Sequence, residues 1–382
     1  MDFIKKHNIF MSKTKKDLCT WAIFQDDIII MFYKKKIIEI KKGKLTEFQK
    51  QENYNVHFFR TKIGKSKYES KEEFISILKK KHNKYKKDAN QIKHIIDLSR
   101  FNNINKAVIF YAYLKGIKKY YDDFEPLTEL ETIFIENAKL GGMIQAKEGE
   151  YENVINYDVN SMYPYIMSLQ YFKIPMKQGE FKILDELPTK FIPYGIYRAK
   201  ITRPNKNHKS FFAFKKSDCS FYTSIDLTVA REQGLNIELI QDGKFNALLY
   251  GNDKRINSHN IFKKYVDKFY KLKCSKEYKN NKLVKVILNI LWGELVRKVY
   301  KYADLGYDIN DEGNIDGQKI KVSNIDFEYR LARMKPFITA YGRQIMHKLL
   351  QDIPYDKVYR IHTDSILCDD SIKLPISDKL GG

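Results

Sequence analysis

The apolar residues of this chain come in short runs, and this arrangement limits the fold more than any other feature of the sequence. The densest run, Ile28–Tyr33, has the length of a strand, whereas a membrane span needs roughly 18–20 apolar residues. The 382 residues are 43% hydrophobic and 14% aromatic, so the chain can bury a substantial core. We therefore predict a globular protein of two or three domains that does not cross a membrane.

The amino terminus and the cysteines indicate the cellular compartment. Met1–Lys6 leads into no apolar segment of the kind found in secretory signals, so we expect a protein that is not secreted. The cysteines lie far apart and form no Cys-x-x-Cys pair, the usual spacing in zinc sites and redox motifs. We interpret all four as free thiols: Cys19, Cys219, Cys274 and Cys368.

The chain is strongly basic, which favours a polyanionic partner. It has 69 Lys and Arg residues against 47 Asp and Glu, and its formal charge is +22. Lysines that neutralise phosphates release condensed counterions, so such a chain can hold nucleic acid without reading its sequence. An AT-rich genome would also raise the lysine content. Lysines cluster at 13–16, 34–36, 79–87 and 263–285, and the last two clusters alternate with aromatic residues that could stack on bases.

Hydrophobic periodicity divides the chain into an α/β unit of about 120 residues and a longer second region. The boundary follows a helix that ends at Gly141–Gly142, a pair whose backbone can twist or approach a ligand closely. The predicted strands include 17–33, 53–60 and a terminal hairpin at 357–368; the predicted helices are 72–87, 104–120, 127–138, 224–233, 261–297 and 334–351, with a turn-rich segment at 303–318.

Asp158 ends a strand-like segment, 154–159, in which alternate residues face opposite sides. The alternation puts Asp158 on the face opposite Tyr157. Ser161 can cap the following helix, and Pro164 can lie in its first turn. A carboxylate at a strand end is a good metal ligand, although an ordinary strand-end Asp is the simpler interpretation of this segment alone.

Asp364 lies at the tip of the predicted terminal hairpin, between two short apolar strands. Taken alone, Thr363-Asp364-Ser365 is a turn sequence. The pair with Asp158 is more informative, because two carboxylates at adjacent strand ends could hold two Mg²⁺ ions about 3.5–4 Å apart. One ion would activate a nucleophilic oxygen, and the other would stabilise a leaving phosphate.

A lysine-bearing helix is predicted between these two segments. One of its faces carries two lysines, an amide and an indole at spacings of three and four residues, and a further lysine falls near the same face. These residues are Lys282, Lys285, Asn289, Trp292 and Lys273. The apolar stripe opposite consists of Leu283, Ile287, Ile290 and Leu291. Such a face suits a triphosphate with a stacked base, and a solvated lysine face is the alternative.

Three segments, in this order, resemble the polymerase motifs of family B DNA polymerases. Asp158–Pro164 resembles motif A, Lys285–Gly293 motif B and His362–Ile366 motif C. The chain is most similar to the protein-primed branch found in phages, viruses and linear plasmids. In that branch, Gly141–Gly142 matches the linker between exonuclease and palm, and Phe337–Tyr341 matches the segment leading to motif C.

The resemblance implies an α/β and α+β multidomain fold, with a ribonuclease H-like exonuclease-type domain followed by a polymerase palm with an antiparallel sheet and helical fingers. It implies a template-directed DNA polymerase that is primed by a protein and adds deoxynucleotides by two-metal phosphoryl transfer. The implied domains are a degenerate exonuclease-like domain (1–124), the first part of the palm (125–169), an insertion that contacts priming protein and DNA (170–260), fingers (261–297), a strand-displacement insertion (298–333) and the second part of the palm (334–382).

The resemblance also implies roles for individual residues. Asp158 and Asp364 would be catalytic and, with Val159, would bind Mg²⁺ or Mn²⁺. Tyr163 would pack against the sugar and exclude ribonucleotides. The incoming nucleotide would contact Lys273, Lys285, Asn289 and Trp292, and DNA would contact Gly141, Gly142, Thr363 and Ser365. The implied partners are primer-template DNA, dNTPs and a priming (terminal) protein, in the cytoplasm or wherever the viral or plasmid genome replicates.

Two residues depart from the family's pattern in the polymerase motifs. His362 stands where motif C usually has Asp, and imidazole is a poorer Mg²⁺ ligand than a carboxylate. We expect this change to weaken activity more than to abolish it. Trp292 stands where Tyr is usual, and it keeps a stacking ring but loses a hydroxyl.

The amino-terminal domain resembles the family's 3′–5′ exonuclease without its acidic residues. That activity needs four carboxylates around two metals. When the sequence is aligned on Thr20–Ala22, every motif position falls on a non-acidic residue, so we predict no proofreading. These positions are Asn8, Phe10, Arg60, Gly64, Ser99 and Asn103.

The family continues into a thumb after the segment that matches Ser377–Gly382. We therefore expect either a fragment or a separate chain that supplies the thumb. Two other functions fit the same residues. One is a catalytically weak or inactive polymerase-like module that binds nucleic acid and needs a partner chain. The other is a nuclease built on Asp158 and Asp364.

Overall fold

The chain folds into two compact units, each made of two chain segments. Unit 1 comprises Met1–Lys118 and Lys264–Glu294, and unit 2 comprises Lys119–Lys263 and Leu295–Gly382. In the part of the chain that the structure describes, no helix is long and apolar enough to cross a membrane. The computed structural model describes residues 6–7, 9, 11–25, 27–52, 56–138, 140–211, 220–302 and 321–382.

The first segment of unit 1 contains the strands and helices predicted for it, with the predicted strand 17–33 divided into two. Its longest helix begins after Ser70, whose side chain accepts a hydrogen bond from the Glu73 amide and so caps the first turn. The strands are β1 (Asp17–Gln25), β2 (Ile28–Tyr33), β3 (Lys36–Lys41) and β4 (Val56–Arg60), and the helices are α1 (Leu45–Gln51), α2 (Lys71–Gln91) and α3 (Ile104–Ala112).

The rest of the chain is richer in strands. The predicted turn-rich segment 303–318 lies outside the described residues, and so does Cys219; the other three cysteines are free thiols, as predicted. The strands are β5 (Met143–Ala146), β6 (Val154–Asp158), β7 (Lys173–Pro175), β8 (Glu180–Lys182), β9 (Gly195–Thr202), β10 (Ser220–Thr223), β11 (Asn236–Leu239), β12 (Ala247–Leu249), β13 (Arg255–Asn257), β14 (Lys298–Tyr302), β15 (Lys321–Phe327), β16 (Val358–Thr363) and β17 (Ser365–Asp369), and the helices are α4 (Glu129–Asn137), α5 (Met162–Ser168), α6 (Ser224–Glu232), α7 (Ser258–Cys274), α8 (Lys282–Glu294) and α9 (Lys335–Leu350).

The sheet of unit 1 has the strand order β3-β2-β1-β4. β1 pairs antiparallel with β2 and parallel with β4. Cys19, Met31 and Val56 are buried in one apolar cluster of this sheet, and Phe74 and Leu78 of α2 belong to a second cluster. Both faces of the sheet are therefore covered, which explains why the strands are apolar on both sides.

The prediction of a single helix over 261–297 is wrong, because the helix is interrupted between α7 and α8. Asn281 fixes the break through its side chain. Its amide oxygen accepts a hydrogen bond from the Leu283 N–H (3.0 Å), and its amide nitrogen donates to the Asp88 carbonyl oxygen (2.9 Å). The first bond caps α8 and the second ties the break to α2, so a contact distant in sequence overrides the helical pattern.

Unit 2 contains two larger sheets. The first is entirely antiparallel in the order β5-β16-β17-β6. The second has the order β10-β9-β12-β8, with β11 also paired to β9. Tyr197, Tyr222 and Leu227 are fully buried in the core of this second sheet. Helix α9 packs against α5 and α6, and it buries most of its length.

Two buried arginines hold distant segments of unit 2 together. Arg333 donates hydrogen bonds to both carboxylate oxygens of Glu131 (2.7 and 2.6 Å), which also accepts one from the Tyr250 hydroxyl. Arg343 makes three hydrogen bonds of 2.7–2.9 Å to Asp226. Removing one partner of such a pair would leave a buried charge without compensation, which costs about 3–5 kcal/mol.

Candidate active site

Asp158 and Asp364 lie side by side at the ends of neighbouring strands. β6 ends at Asp158, and the register of the β6–β17 pair sets Asp158 opposite Ser365. The Val159 amide donates a hydrogen bond of 2.7 Å to the Asp364 carbonyl oxygen, so the two backbones stay in contact beyond the strand ends. The structure thus brings together two acids that are about 200 residues apart in the chain, a contact of high sequence separation.

The two acids differ from their neighbours in exposure. Asp158 is exposed, whereas Val159 is buried and Tyr157 is half-buried, as the alternating pattern predicts. The Tyr157 hydroxyl donates to the Ile372 carbonyl oxygen (2.9 Å), which fixes the covered face of β6. Asp364 is partly exposed. Both carboxylates are therefore accessible to a ligand.

Both acids have neighbours in the left-handed backbone region. Ser161 has φ 55°, and Thr363 has φ 61°. For a β-branched residue such as Thr363 this conformation costs roughly 1–2 kcal/mol. Thr363 and Asp364 form the two-residue turn between β16 and β17, which the pair His362↔Ser365 closes. Backbone strain of this kind is concentrated at functional sites.

Gly142 lies directly against this strained turn. A Cβ at Gly142 would be 2.7 Å from Cγ2 and 2.9 Å from Cα of Thr363, closer than any side chain permits. β5 starts at the next residue, and it pairs with β16 in the register Met143↔Thr363. Gly141 has open space around the same position. Only one of the two predicted linker glycines is therefore required by packing.

The predicted side-chain cap at Ser161 is wrong. Ser161 is the N-cap residue of α5, but its left-handed backbone differs from the extended conformation that suits a cap, and its hydroxyl makes no cap hydrogen bond. Pro164 does lie in the first turn of α5, as predicted, and is buried. Between β6 and α5, the Asn160 amide donates to the Gly382 carbonyl oxygen and the Gly381 amide donates to that of Asn160, both at 2.8 Å.

Tyr163 lies on α5 and packs beside Gly342 of α9. A Cβ at Gly342 would be 3.2 Å from Cε1 of Tyr163, so the glycine makes room for the ring. Burial raises the pKa of Tyr163 to about 12; the nearby Arg343 charge opposes this rise and the Asp364 charge adds to it. The phenol is therefore close to Asp364 and stays protonated at neutral pH.

Arg343 was not predicted as part of the site. Its guanidinium donates to the carbonyl oxygens of Leu140 (2.9 Å) and Gly141 (2.7 Å), in addition to its ion pair with Asp226. It thereby fixes the linker just before Gly142. The signal in the sequence is an arginine on the mostly apolar buried face of α9, where a charged side chain needs a partner.

The donor atoms at this site fit Mg²⁺. Mg²⁺ prefers oxygen ligands and is commonly held by one or two carboxylates together with substrate phosphates and water. The carboxylates of Asp158 and Asp364 and the carbonyl oxygen of Val159 are donors of this class. Among the described residues, no three His, Cys, Asp or Glu side chains form a group that could hold a metal. His362 is exposed on β16.

The lysine-bearing helix α8 belongs to unit 1, whereas the two acids belong to unit 2. Leu283, Ile287 and Leu291 of the predicted apolar stripe are buried and Ile290 is half-buried, whereas Lys282 and Lys285 are exposed. The helix is therefore amphipathic in the predicted sense, with the lysines on its open face.

The other predicted nucleotide-binding residues are distributed over two helices. Asn289 and Trp292 are half-buried on α8, and the buried Oδ1 of Asn289 has no hydrogen-bond partner in the part of the chain that the structure describes. Lys273 lies in the last turn of α7, with its ammonium 5.6 Å from the Tyr270 ring centre. The prediction that Lys273 shares a helical face with Lys285 is wrong, because the chain between α7 and α8 does not continue the helix.

The structure describes four of the positions that match the exonuclease motifs, and one of them has a clear structural role. Arg60 is the exposed last residue of β4, and Gly64 follows it. Asn103 caps α3, since its side chain accepts a hydrogen bond from the Lys106 amide (3.0 Å). The fourth described position, Ser99, is also non-acidic; Asn8 and Phe10 lie outside the described residues.

Comparison with known proteins identifies the family. The chain matches the family model described as DNA polymerase type B, organellar and viral, over residues 7–373. It is 31% identical over 211 residues to a DNA polymerase of Kluyveromyces lactis and 28% identical over 206 residues to one of Acidianus bottle-shaped virus. These matches cover 50% and 49% of this chain but 20% and 29% of the relatives, so the chain spans less than a third of their length.

The fold is similar to that of a solved phi29 DNA polymerase complexed with primer-template DNA and incoming nucleotide substrates. The TM-score is 0.53 at 14% identity, over 96% of this chain and 84% of that chain. A phi29 polymerase complexed with single-stranded DNA gives 0.53 at 18% identity, over 93% and 66%. The predicted α/β and α+β multidomain fold is therefore confirmed. With the family match over nearly its whole length, the chain belongs to the organellar and viral type B DNA polymerases.

Proposed function

We propose that this chain carries the nucleotide-addition site of a template-directed DNA polymerase, with primer-template DNA and dNTPs as substrates. One observation supports the proposal most. Asp158 is paired with Ser365 across neighbouring strands, and the Val159 amide binds the Asp364 carbonyl oxygen, in a chain of this polymerase family. Two accessible carboxylates from distant segments are the arrangement that two-metal phosphoryl transfer requires.

The carboxylates of Asp158 and Asp364, with the Val159 carbonyl oxygen, would hold two Mg²⁺ or Mn²⁺ ions. When bound, such ions lower the pKa of the attacking 3′-hydroxyl and neutralise the charge on the leaving pyrophosphate. The protein's contribution is to keep both carboxylates in place. The strained Thr363-Asp364 turn, supported by Gly142, holds one of them, and the end of β6 holds the other.

The nucleotide-binding roles that the family resemblance implies are proposed for each unit by itself, for Tyr163 of α5 in unit 2 and for residues of α7 and α8 in unit 1. Tyr163 would pack against the sugar, and the ammonium groups of Lys273 and Lys285 would bind the phosphates. Asn289 and Trp292 would lie near the base. Among the residues that the structure describes, the Oδ1 of Asn289 has no hydrogen-bond partner, and an acceptor left open in this way supports the role.

The remaining proposals concern DNA and protein partners. Gly141, Gly142, Thr363 and Ser365 would contact DNA beside the two acids. Synthesis would start on a priming protein and proceed without proofreading, because the described exonuclease-motif positions carry no carboxylate.

Primer extension with Asp158→Ala tests the proposal. We expect no incorporation of dNTPs in Mg²⁺ or Mn²⁺, with DNA binding retained in a gel-shift assay. Asp370→Ala is the matched control, because Asp370 is an exposed acid just beyond the other end of β17. Unchanged incorporation by Asp158→Ala would refute the assignment, and a parallel loss of DNA binding would indicate misfolding.

One observation favours a second function. His362 occupies the position where the motif usually has Asp, which suits a catalytically weak or inactive module that binds nucleic acid together with a partner chain. No incorporation by the wild-type chain, even with an added thumb, would support this alternative. Faster incorporation by His362→Asp would instead show a functional site that lacks one carboxylate. DNA cleavage without nucleotides would indicate a nuclease.

A further inference from the structure

Unit 1 contains a cavity of about 400 Å³ at the amino ends of β1 and β4. Three separate chain segments bring lysines to its walls, and Asp17 is the only carboxylate among the described lining residues. The lining lysines are Lys15, Lys16, Lys34, Lys35, Lys86 and Lys93. The cavity is therefore a defined recess in the surface with a strong local excess of positive charge.

The inner wall of the cavity is uncharged and rigid. His57 is buried, its Nδ1 donates to the Phe101 carbonyl oxygen (2.8 Å), and its Nε2 accepts from the Tyr85 hydroxyl (2.6 Å). Burial lowers the pKa of His57 to about 4, so the ring is neutral at physiological pH. Tyr85 stacks on Phe59 with ring centres 3.9 Å apart. Burial also lowers the pKa of His82, the second histidine that lines the cavity, so the positive charge comes mainly from the lysines.

The lysines line the same cavity, and few carboxylates compensate their charge. Lys34 lies 4.0 Å from Asp17 and 3.8 Å from Glu52. For the other five, no carboxylate lies within ion-pair distance among the residues that the structure describes. Contact with Lys93 lowers the pKa of Lys15, and burial lowers that of Lys16. Like charges held this close destabilise the free protein, and an anion would relieve the repulsion.

The backbone also contributes to the concentration of charge. Lys34 and Lys35 form the two-residue turn between β2 and β3, and both have positive φ, 47° and 63°. This turn type favours Asn and Gly, because a Cβ is strained there. Two lysines in these positions are thus locally unfavourable and lie at the rim of the cavity.

We propose that this cavity binds the clustered phosphates of a nucleotide, either a free nucleoside triphosphate or the phosphorylated end of a nucleic acid. Its volume lies in the range of ligand sites, and lysine ammonium groups are effective point charges for phosphate. Phe32 adds an aromatic ring to the wall, which suits a base beside the phosphates. The site depends on neither Asp158 nor Asp364, so its test is independent of the proposed polymerase function.

The exonuclease-motif positions do not account for this cavity. Asp17 and His57 lie at the beginning of β1 and β4, whereas Arg60 and Gly64 lie at and beyond the other end of β4. Of the four motif positions that the structure describes, only Ser99 lines the cavity. The lysines would bind phosphate directly, without the metal ions that an exonuclease uses.

The test is a binding titration of the full chain by isothermal calorimetry, without divalent cations. The probes are inorganic tripolyphosphate, dTTP, and a short oligo(dT) with a 5′-phosphate or a 5′-hydroxyl. The double variant Lys86→Ala/Lys93→Ala removes two lining lysines. The control Lys80→Ala/Lys87→Ala removes the same charge from exposed positions of α2 outside the cavity. A third variant, Lys273→Ala/Lys285→Ala, tests whether the phosphates bind to α7 and α8 instead of the cavity.

We expect tripolyphosphate to bind the wild-type chain and the Lys80/Lys87 control alike. The Lys86/Lys93 variant should bind at least about tenfold more weakly, with a salt slope reduced by about two, one for each phosphate contact. Tighter binding of the 5′-phosphorylated oligonucleotide would identify a nucleic-acid end as the source of the phosphates. Binding of dTTP with no preference for the 5′-phosphate would identify a free nucleotide.

Three outcomes would overturn the proposal. The first is that no probe binds measurably. The second is that the lining and control variants lose the same affinity for tripolyphosphate. The third is that only Lys273→Ala/Lys285→Ala loses affinity. The last result would assign phosphate binding to α7 and α8 and would leave the polymerase proposal intact.

Discussion

The strand-end acids of unit 2 and the lysine-lined cavity of unit 1 present opposite charges to the same kind of ligand. A pair of carboxylates repels phosphate and can hold it only through bound cations. A ring of ammonium groups attracts phosphate directly, and that attraction weakens as salt rises. The two proposals thus assign to one chain two phosphate sites that would respond to different variables, divalent cations in unit 2 and ionic strength in unit 1.

Chelation of divalent cations separates the two sites most strongly. With EDTA in excess, we expect nucleotide addition to fall by more than about a thousandfold, because about 4 kcal/mol or more of transition-state stabilisation is lost. Tripolyphosphate binding by the lysines should stay within about twofold, since it involves no metal. Primer extension and calorimetry on one preparation measure both quantities. Equal sensitivity of nucleotide addition and tripolyphosphate binding to EDTA would contradict a metal-free phosphate site in unit 1.

The pH dependence of stability tests the neutral wall of the unit 1 cavity. The pKa of His57 is lowered to about 4, so the unfolded chain binds a proton that the folded chain excludes between about pH 6.5 and 4. This contribution is complete above pH 6.5 and is lost as the pH falls toward 4, by about 2–3 kcal/mol. Both tryptophans, Trp21 and Trp292, lie in unit 1, so denaturant unfolding followed by their fluorescence reports on this unit.

His57→Gln should flatten that pH dependence. His362→Gln is the matched control, because it also removes one imidazole but from an exposed position in unit 2. A wild-type stability that does not change between pH 7 and pH 4.5, or that changes equally in both variants, would contradict a buried neutral His57.

Gly142→Ala tests whether the contact with Thr363 constrains the turn that carries Asp364. The new Cβ would be 2.7 Å from Cγ2 of Thr363, so the turn that holds Asp364 must shift. Overpacking of this kind costs about 1–3 kcal/mol, and we expect a lower melting temperature and slower nucleotide addition. Gly141→Ala is the control, because it meets open space. Equal melting temperatures for the two variants would show that the contact does not constrain the turn.

Thr363→Gly has the smallest expected effect. Glycine relieves the left-handed strain at φ 61°, so the free energy of unfolding should rise by up to about 1 kcal/mol. Nucleotide addition should fall, because the turn would hold Asp364 less firmly. Asn153→Gly at φ 52° changes a comparable conformation away from the acids, and it should leave the rate unchanged. A faster Thr363→Gly variant would mean that the strain has no catalytic role.

Sequence patterns predicted the features that depend on local order. The alternation in β6 gave the exposed position of Asp158, and motif order identified Asp364 as its neighbour. The helix break at Asn281 was missed because its hydrogen bond to Asp88 lies outside any local window. The left-handed backbone conformation of Ser161, which prevents the predicted cap, likewise could not be predicted from the residues around it.

The lysine-lined cavity likewise could not be predicted from local sequence patterns, because it is formed by segments that are distant in the chain. The clusters at 13–16, 34–36 and 79–87 are visible in the sequence as separate basic segments. Their convergence depends on the order of strands in the sheet and on where α2 crosses it, which charge patterning does not encode. Arg343 was missed for a related reason, since its partners Asp226 and Leu140 come from two distant segments.

The pairing of β6 with β17 determines when the acid site can exist during protein synthesis. A ribosome adds about 5–20 residues per second, so Asp158 emerges about 10–40 seconds before the strand that carries its partner. During this interval the edge of β6 has no strand to pair with, and an unpaired edge invites association with other chains. Nascent chains stalled between residues 170 and 350 should therefore depend on chaperones more than the finished protein does.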